Sequence, residues 1–554
     1  MKIDFLIEYD DKAGYTFSHT VDESQQFNYI AFENHQYSFF LKGVLLNFDE
    51  LIQAFGIKND IATLVNELYK RYNVNFSTSF RGEFSGYLIE KHTLKTFVFT
   101  NVIGSQTTFY YHLNSTLCVS TDFKQLKKQL DHKNLPYSMD IESAYSMLTF
   151  HNLIDNNTHI REVKKMRGGE TLFFNPKENS FQLISTDNLQ NIPTFTGKKQ
   201  DALKQMDYLF SNAVNQEYNY DQKIGKAHFA LLSGGLDSRM GIFYAHHQKF
   251  RPISSLCFSH SGYWDETIAK EIADDLDINL HIKHLNDGHF LMDIDEMTPI
   301  TQGLTRYTGG AHSNYGLKSI NFKDLGLIHT GHLGDAVLGS YLSSKHKMPA
   351  HNGFRKIYAS QYFREKTNHL LIENAKKYPT EELFLLYNRG FNAIAVGNHV
   401  AEQYSIPVSP FMHTDFLKFG LSLPEKWRFN EAIYIEWIKK YCPDSTQYIW
   451  ERTLLKPNKV WKTSFGDHFW VRLFGLYYKK LIRKPEKFSM TPYEYYYKIN
   501  HEIKPFFEKY FVENIELAGD KDIERDLFTM FQQGSFTDKT LVLSLLGVYK
   551  WLKS

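Results

Sequence analysis

Cysteine is scarce. The 554-residue chain has three, Cys118, Cys257 and Cys442, all far apart. Without a CxxC pair, a zinc ribbon and a thioredoxin-like redox site are excluded. A disulfide framework does not fit that spacing either, and a reducing compartment is expected. An excess of one charge sign is also missing. Lys and Arg number 63 against 62 Asp and Glu, a net charge of +1, so no global field draws the chain to nucleic acid or an anionic membrane. Long apolar runs are lacking too. The late run Leu541–Tyr549 is about half the length of a membrane helix. Asp538 stands before it as an N-cap, so it reads as a closing core helix. The opening residues MKIDFLIEYDD carry acids and do not read as a secretory signal. The expectation is a soluble cytoplasmic protein with no membrane or nucleic-acid partner.

What the chain does have is material for large cores. Hydrophobic residues make up 42% and charged residues 23%, with 45 Phe and 35 Tyr, which excludes a disordered or fibrous protein. The length implies two to four domains. Residues 1 to about 130 read mainly as strands: KIDFLIEY, HQYSFFLKG, GEFSGYLIE, TFVFTNV and TTFYYHL alternate aromatic or β-branched with other residues. Helices are expected at Asp49–Ala54, Asp60–Arg71 and Phe123–Leu130. This pattern gives a two-layer or sandwich-like α+β domain. A polar stretch at Asn188–Lys199 is the candidate linker.

The pattern changes after residue 200. A helix is expected over Ala202–Gln216, then short strands at Ala227–Leu232, Ile253–Phe258, Leu280–Leu285 and Leu325–His329, with helical spacing after the first two. Strands alternating with helices predict a parallel, doubly wound sheet. Residues 350–554 read as mostly helical.

The strongest local signal is Ser233-Gly234-Gly235-Leu236-Asp237-Ser238, between the first of these strands and its helix. Such a turn aims backbone N–H groups at a ligand, the glycines admit close approach, and a helix N-terminus favours an anion. It is neither a Walker A loop nor GxGxxG. The loop resembles SGGxDS of ATP pyrophosphatases, which split ATP between the α and β phosphates and transfer AMP. Thr330-Gly331-His332-Leu333-Gly334-Asp335-Ala336-Val337-Leu338-Gly339-Ser340-Tyr341 is similar to SGEGxDExxGGY of asparagine synthetases. The resemblance implies ATP and Mg²⁺, with Asp237 and Asp335 as metal ligands. It implies a nucleotide lined by Leu231, Ser233, Gly234, Gly235, Leu236, Asp237, Ser238, Phe258, Thr330 and Gly331, the adenine lying near Leu256–Phe258.

The resemblance extends to the first domain, where class B asparagine synthetases hydrolyse glutamine on an Ntn-type αββα fold. Lys42–Asn47 lines up with NGxxYN and Gly82-Glu83-Phe84 with GMFAF. Phe99–Gly104 with Phe109-Tyr110-Tyr111 lines up with RDxxGxxPLYY, and Val119–Leu126 with FASExKAL. Arg167-Gly168-Gly169 fits PPG, and Pro410–His413 echoes PFLD. The chain is identified as a divergent member: a degenerate amidotransferase-like domain over 1–195 and an ATP-pyrophosphatase domain over 196–554.

The departures bear on the chemistry. Residue 2 is Lys where the glutaminase has its cysteine, Lys42 replaces the oxyanion-hole Asn, and Arg81 the substrate-holding Asp. No glutamine hydrolysis is expected. His332 and Ala336 stand where the family has Glu; His332 is a candidate base or a hydrogen-bonded loop residue. The family's catalytic Lys lies in an RxK stretch, approximated here by Arg452–Lys456. Lys456 is the candidate, with Lys459 and Lys462 as competitors.

The implied enzyme adenylates a small-molecule or peptide carboxylate and passes the acyl group to ammonia or an amine. Asparagine formation is the parent reaction. The acyl substrate, the amine and the oligomeric state stay open, a homodimer among the candidates. Two other readings remain. One is a non-catalytic nucleotide-binding scaffold. The other is a tRNA-modifying ATP pyrophosphatase, prompted by the basic run Arg472, Lys479, Lys480, Arg483, Lys484 and Lys487, which otherwise reads as a solvated helix face.

Overall fold

A computed structural model describes residues 3–10, 14–21, 27–58, 60–481 and 488–554. Lys2, Arg483, Lys484 and Lys487 lie outside the described residues. The chain divides into two compact units: 1–146 with 153–191, and 147–152 with 192–554.

The first unit contains two antiparallel sheets among its described residues. One has the order β2-β1-β8-β7-β9, from β1 (Asp4–Asp10), β2 (Gly14–Thr20), β7 (Phe109–Leu113), β8 (Thr116–Ser120) and β9 (Val163–Lys165). The other has the order β11-β10-β6-β5-β4-β3, from β3 (Tyr29–Glu33), β4 (Tyr37–Gly43), β5 (Phe84–Glu90), β6 (Thr96–Thr100), β10 (Glu170–Asn175) and β11 (Ser180–Ser185).

Period-two alternation sorts the side chains into layers. Phe5, Ile7, Tyr110 and Val119 meet Phe40, Tyr87, Val98 and Leu172 in a core between the sheets. On the other face of the six-stranded sheet, Phe39, Leu41, Phe97 and Phe99 are covered by Leu51 of α1 (Phe48–Phe55) and by Leu64, Val65 and Leu68 of α2 (Ile61–Tyr72). Phe109, next to Tyr110, faces outward and meets Phe123 of α3 (Phe123–His132) at 5.1 Å between ring centroids. The result is a helix–sheet–sheet–helix stack. A further helix, α4, spans Ile141–Phe150.

In the second unit α5 (Lys199–Lys223) precedes a parallel sheet of order β14-β13-β12-β15-β16. Its strands are β12 (Ala227–Leu231), β13 (Ile253–Ser259), β14 (Asn279–His284), β15 (Leu325–His329) and β16 (Pro407–Val408), all joined in parallel register. α6 (Leu236–His247) follows β12, and α7 (Trp264–Leu276) follows β13. β12 neighbours both β13 and β15, so the strand order reverses between β12 and β15. Ligands bind beyond the carboxyl ends of strands at such a switch point.

The closing helix runs from Phe536 to Lys553 and buries Leu541, Leu543, Leu545 and Leu546. Its cap differs from the sequence expectation. Ser535 is the N-cap, and Asp538 is the third helical residue that bonds back to it in a capping box; such a cap contributes about 1 kcal/mol.

Candidate functional site

α6 begins at Leu236, and its N-cap, Gly235, has no side chain to satisfy the first-turn N–H groups. Those groups have no intrahelical partner, so an anion can take the cap's place. The rest of the Ser233–Ser238 loop is tied down from inside. Ser233 N–H donates to Ser238 Oγ at 3.1 Å, and Gly235 N–H donates to Ser233 Oγ at 3.1 Å. Gly234 N–H donates to Asp265 Oδ1 at 2.7 Å. The buried Arg239 guanidinium donates to Gly234 O at 2.5 Å and Gly235 O at 3.0 Å, and reaches Ile449 O at 2.8 Å. The amides at 233–235 are therefore partnered, and the helix start is the open donor set.

The second loop, after β15, lies directly on the first. A Cβ on Gly331 would come within 2.3 Å of Asp237 C and Ser238 N, and one on Gly334 within 2.7 Å of Asp237 Cγ. Only glycine permits both approaches. The contact brings Asp335 N–H to Asp237 Oδ2 at 2.9 Å, while Tyr434 O–H donates to Asp237 Oδ1 at 2.9 Å. Burial, and next the Asp335 charge, push the Asp237 carboxyl well above its ordinary range. Asp237 is thus oriented through both oxygens, and it shares one cleft with Asp335.

The cleft has a volume of about 380 Å³. Leu231, Leu256 and Phe258 form an apolar part of its lining; Ser233, Asp237, Ser238, Thr330, Gly331 and Asp335 supply polar groups from the two loops. Its lining also includes Trp450, Glu451 and Arg452. Arg452 forks onto Glu431, with Nη1 to Oε1 at 2.8 Å and Nη2 to Oε2, and its guanidinium carbon stands 4.0 Å from the Trp450 ring centroid. Glu431 holds this place with φ +56, in the left-handed region. Burial and the Asp265 charge raise the Glu451 carboxyl to about 7; burial raises Asp265 to about 6.

The structure thus gathers every nucleotide and metal candidate around one crevice, with Gly234 beneath the loop rather than on its surface. His332 also lines the cleft. Burial lowers its pKa to about 4, and its Nδ1 is buried without a hydrogen-bond partner. Lys456 is not brought there: it is exposed, and among the described residues the Lys or Arg that lines the cleft is Arg452. Lys459 is exposed as well, and Lys462 donates to Asn458 Oδ1 at 2.8 Å. Glu431, Tyr434, Trp450 and Glu451 carry no sequence signal, being single residues of ordinary type. Asp265 reads in sequence as a helix-start acid or as a contact at the nucleotide end of the sheet, and it does both: it lies in the first turn of α7 and accepts from Gly234 N–H, 31 residues away.

The metal candidates fit a hard divalent cation. Two carboxylates converge from two loops, one anchored by donors to both oxygens and the other, Asp335, with no side-chain hydrogen bond among the described residues.

Among curated proteins, none matches the chain. Two solved structures share a weak likeness. One is the B. subtilis glutamine phosphoribosylpyrophosphate amidotransferase complexed with ADP and GMP, at 11% identity over 51% of this chain and 75% of that one, TM-score 0.22. The other is described as the allosteric regulatory enzyme of purine biosynthesis, at 11% identity over 50% and 74%, TM-score 0.22. Residues 205–444, which run from α5 through the sheet and both loops, match the family described as asparagine synthase. That region is similar to an asparagine synthase domain, and the similarity supports an ATP-dependent ligase-like domain there.

Proposed function

We propose that the second unit adenylates a carboxylate with ATP and transfers the acyl group to ammonia or an amine, and that the chain does not hydrolyse glutamine. The reading assigns 1–195 to a degenerate Ntn-type amidotransferase-like domain and 196–554 to the synthetase. The observation that carries it is the contact between two loops from neighbouring parallel strands, which holds Asp237 against Asp335 at the open end of α6.

The chemistry follows from the residues. A carboxylate has no good leaving group, so its oxygen first attacks the α-phosphorus and pyrophosphate departs. The amine then attacks the acyl carbon and AMP leaves with the activating oxygen. The start of α6 receives phosphate oxygens on backbone N–H groups, and Leu231, Leu256 and Phe258 offer an apolar bed for the base. Asp237 and Asp335 would hold Mg²⁺, which when bound neutralises charge on the polyphosphate. Arg452, fixed by Glu431 and Trp450, lines the same cleft, where its guanidinium can turn to the polyphosphate. His332, neutral above about pH 4, can accept the amine proton.

Support for the missing glutaminase comes from the first unit. Lys42, at the oxyanion-hole position, pairs with Asp4 at 3.2 Å. Arg81, at the substrate-clamp position, donates to the carbonyls of Thr78 and Phe80 at 2.8 and 2.9 Å. Neither presents the acceptor or the neutral amide the hydrolysis needs.

ATP–pyrophosphate exchange with a panel of carboxylic acids, aspartate first, tests the reading. Acid-dependent exchange, with no glutamate released from glutamine, is expected. Exchange driven only by RNA would mark a tRNA-modifying enzyme instead. Tight nucleotide binding without exchange would mark a scaffold.

A further inference from the structure

Between the cleft residue Arg452 and the cleft residue Met490 the chain forms a helical segment over 460–481, of two α-helical stretches, Val460–Phe465 and Val471–Leu476, each followed by a wider π-helical stretch, Gly466–Trp470 and Tyr477–Leu481. Its exposed large residues are Trp461, Phe465, Phe469, Leu473, Leu476 and Tyr477. Four of the steps between them, 461 to 465, 469, 473 and 477, are of four residues. In a pure α-helix such a ridge drifts around the axis; the wider turns counter that drift and keep the ridge on one side. Successive rings touch along it, Trp461–Phe465 at 6.0 Å and Phe465–Phe469 at 5.3 Å. Trp461 is 59% exposed, Phe469 55% and Leu476 52%. A soluble surface does not leave a continuous row of large apolar side chains in water without a use for it.

The charge on this segment is mainly positive, Lys462, Arg472, Lys479 and Lys480 against the single acid Asp467. From Val471 to Leu481 the sequence holds Arg472, Lys479 and Lys480 and no acid, in a chain whose net charge is +1. Arg472 and Lys480 are exposed. Apolar and aromatic side chains along one face with cations at its margin are what an interfacial helix presents to an anionic bilayer, and Trp and Tyr suit the headgroup level. A second copy of the chain fits less well. Pairing two such helices antiparallel sets Arg472, near the middle of the row, against its own copy, and pairing them parallel sets Lys480 against Lys480.

From this we infer that the 460–481 face docks the protein peripherally on an anionic lipid surface, lying on the membrane and not crossing it. This departs from the sequence expectation of a solvated helix face without a membrane partner. It does not depend on the proposed ligase activity. Gly466 packs on Thr453, next to Arg452, where an added Cβ would meet Thr453 Cβ at 2.5 Å, so the docking helix is braced directly against the cleft wall.

The test is co-sedimentation of the full chain with phosphatidylcholine vesicles and with vesicles containing phosphatidylglycerol, at low and high salt. Binding to the anionic vesicles is expected, at least about tenfold stronger than to the neutral ones and weakened by salt. Two paired variants separate the contributions: Phe469→Glu with Leu473→Glu, and Arg472→Glu with Lys480→Glu. Each should lower vesicle partitioning at least about tenfold while far-UV circular dichroism and ATP binding stay as in the parent. The inference is overturned by no vesicle binding, by binding that the Phe469→Glu/Leu473→Glu variant retains, or by a concentration-dependent dimer that this variant dissolves. RNA binding lost in the charge variant, without vesicle binding, overturns it as well.

Discussion

The carboxylate of Asp221, at the end of α5, should be the most costly single charge to remove from the second unit. It is fully buried, and Oδ2 meets His228 Nδ1 at 2.9 Å and His329 Nε2 at 2.8 Å. Oδ1 accepts Leu327 N–H at 2.7 Å. One side chain therefore ties together β12 and β15, the two strands that deliver the Ser233–Ser238 loop and the Gly331–Asp335 loop. His329 also reaches Glu217 Oε2 at 3.4 Å and stacks on Tyr218 at 3.7 Å. Burial alone would lower the pKa of His329, but the Asp221 carboxylate and then Glu217 carry it from 6.5 to about 9. That difference corresponds to about 3 kcal/mol. Because the folded-state value is the higher one, this stability is complete below about pH 6.5 and is lost as pH rises toward 9. Glu217, raised by burial from 4.5 to about 7, adds a further decline between those values. Asp221, held below 3.8 mainly by His329 against the effect of burial, loses its contribution only in acid. Asp221→Asn leaves His329 without its counter-charge and should cost about 3–5 kcal/mol, which lowers the thermal midpoint of the second unit by roughly 4–6 °C. It should also flatten the fall in stability between pH 7 and 9. His329→Gln should recover part of the loss in the double variant, a coupling of about 2 kcal/mol or more. Strictly additive single effects, or an unchanged slope between pH 7 and 9 in Asp221→Asn, would refute the assignment of His329 as a buried cation.

Gly331→Ala places a methyl group within 2.3 Å of the Asp237 backbone, so it should abolish exchange while the midpoint moves by only a few degrees; normal exchange in this variant would show that the two loops need not touch. Asp335→Asn should reduce exchange at least about a hundredfold, with partial recovery at high Mg²⁺, and a variant of full activity at low Mg²⁺ would remove Asp335 from the site.

The second unit was legible where local chemistry and topology coincide. The apolar runs Ala227–Leu231 and Leu325–His329 are strands buried in the sheet, each ending in a glycine-bearing loop, and periodicity locates both. β16 is two residues long, Pro407–Val408, and leaves no pattern to read. In the first unit the aromatic alternation locates β1, β4, β5, β6 and β7 but not β2, β3, β9, β10 or β11, although Pro176 and Asn179 mark the turn between the last two. Lys456 and Arg452 differ for a reason that spacing cannot express. Both sit in one basic stretch, and only the Glu431 fork and the Trp450 ring decide which cation turns inward. The closing helix shows the same limit at one residue: Ser535 and Asp538 are both good capping residues, and the helix start distinguishes cap from third position only once the backbone is known.

The residues outside the motifs share a physical trait: each acts by constraining a group that the motif does reveal. Asp265 fixes the Gly234 amide, Tyr434 fixes Asp237, and Glu431 fixes Arg452. Asp221 does this on a larger scale, since it anchors neither loop directly but the strands that launch them. A site assembled from two loops is only as well defined as the register between their strands, here β12 beside β15. An irregularity lies in that pairing between Ala227 and Phe229, at His228, the residue Asp221 holds. The buried ion cluster is therefore placed where backbone pairing alone leaves the register least secure, and its energy is spent on the relative position of Asp237 and Asp335 more than on holding the sheet together.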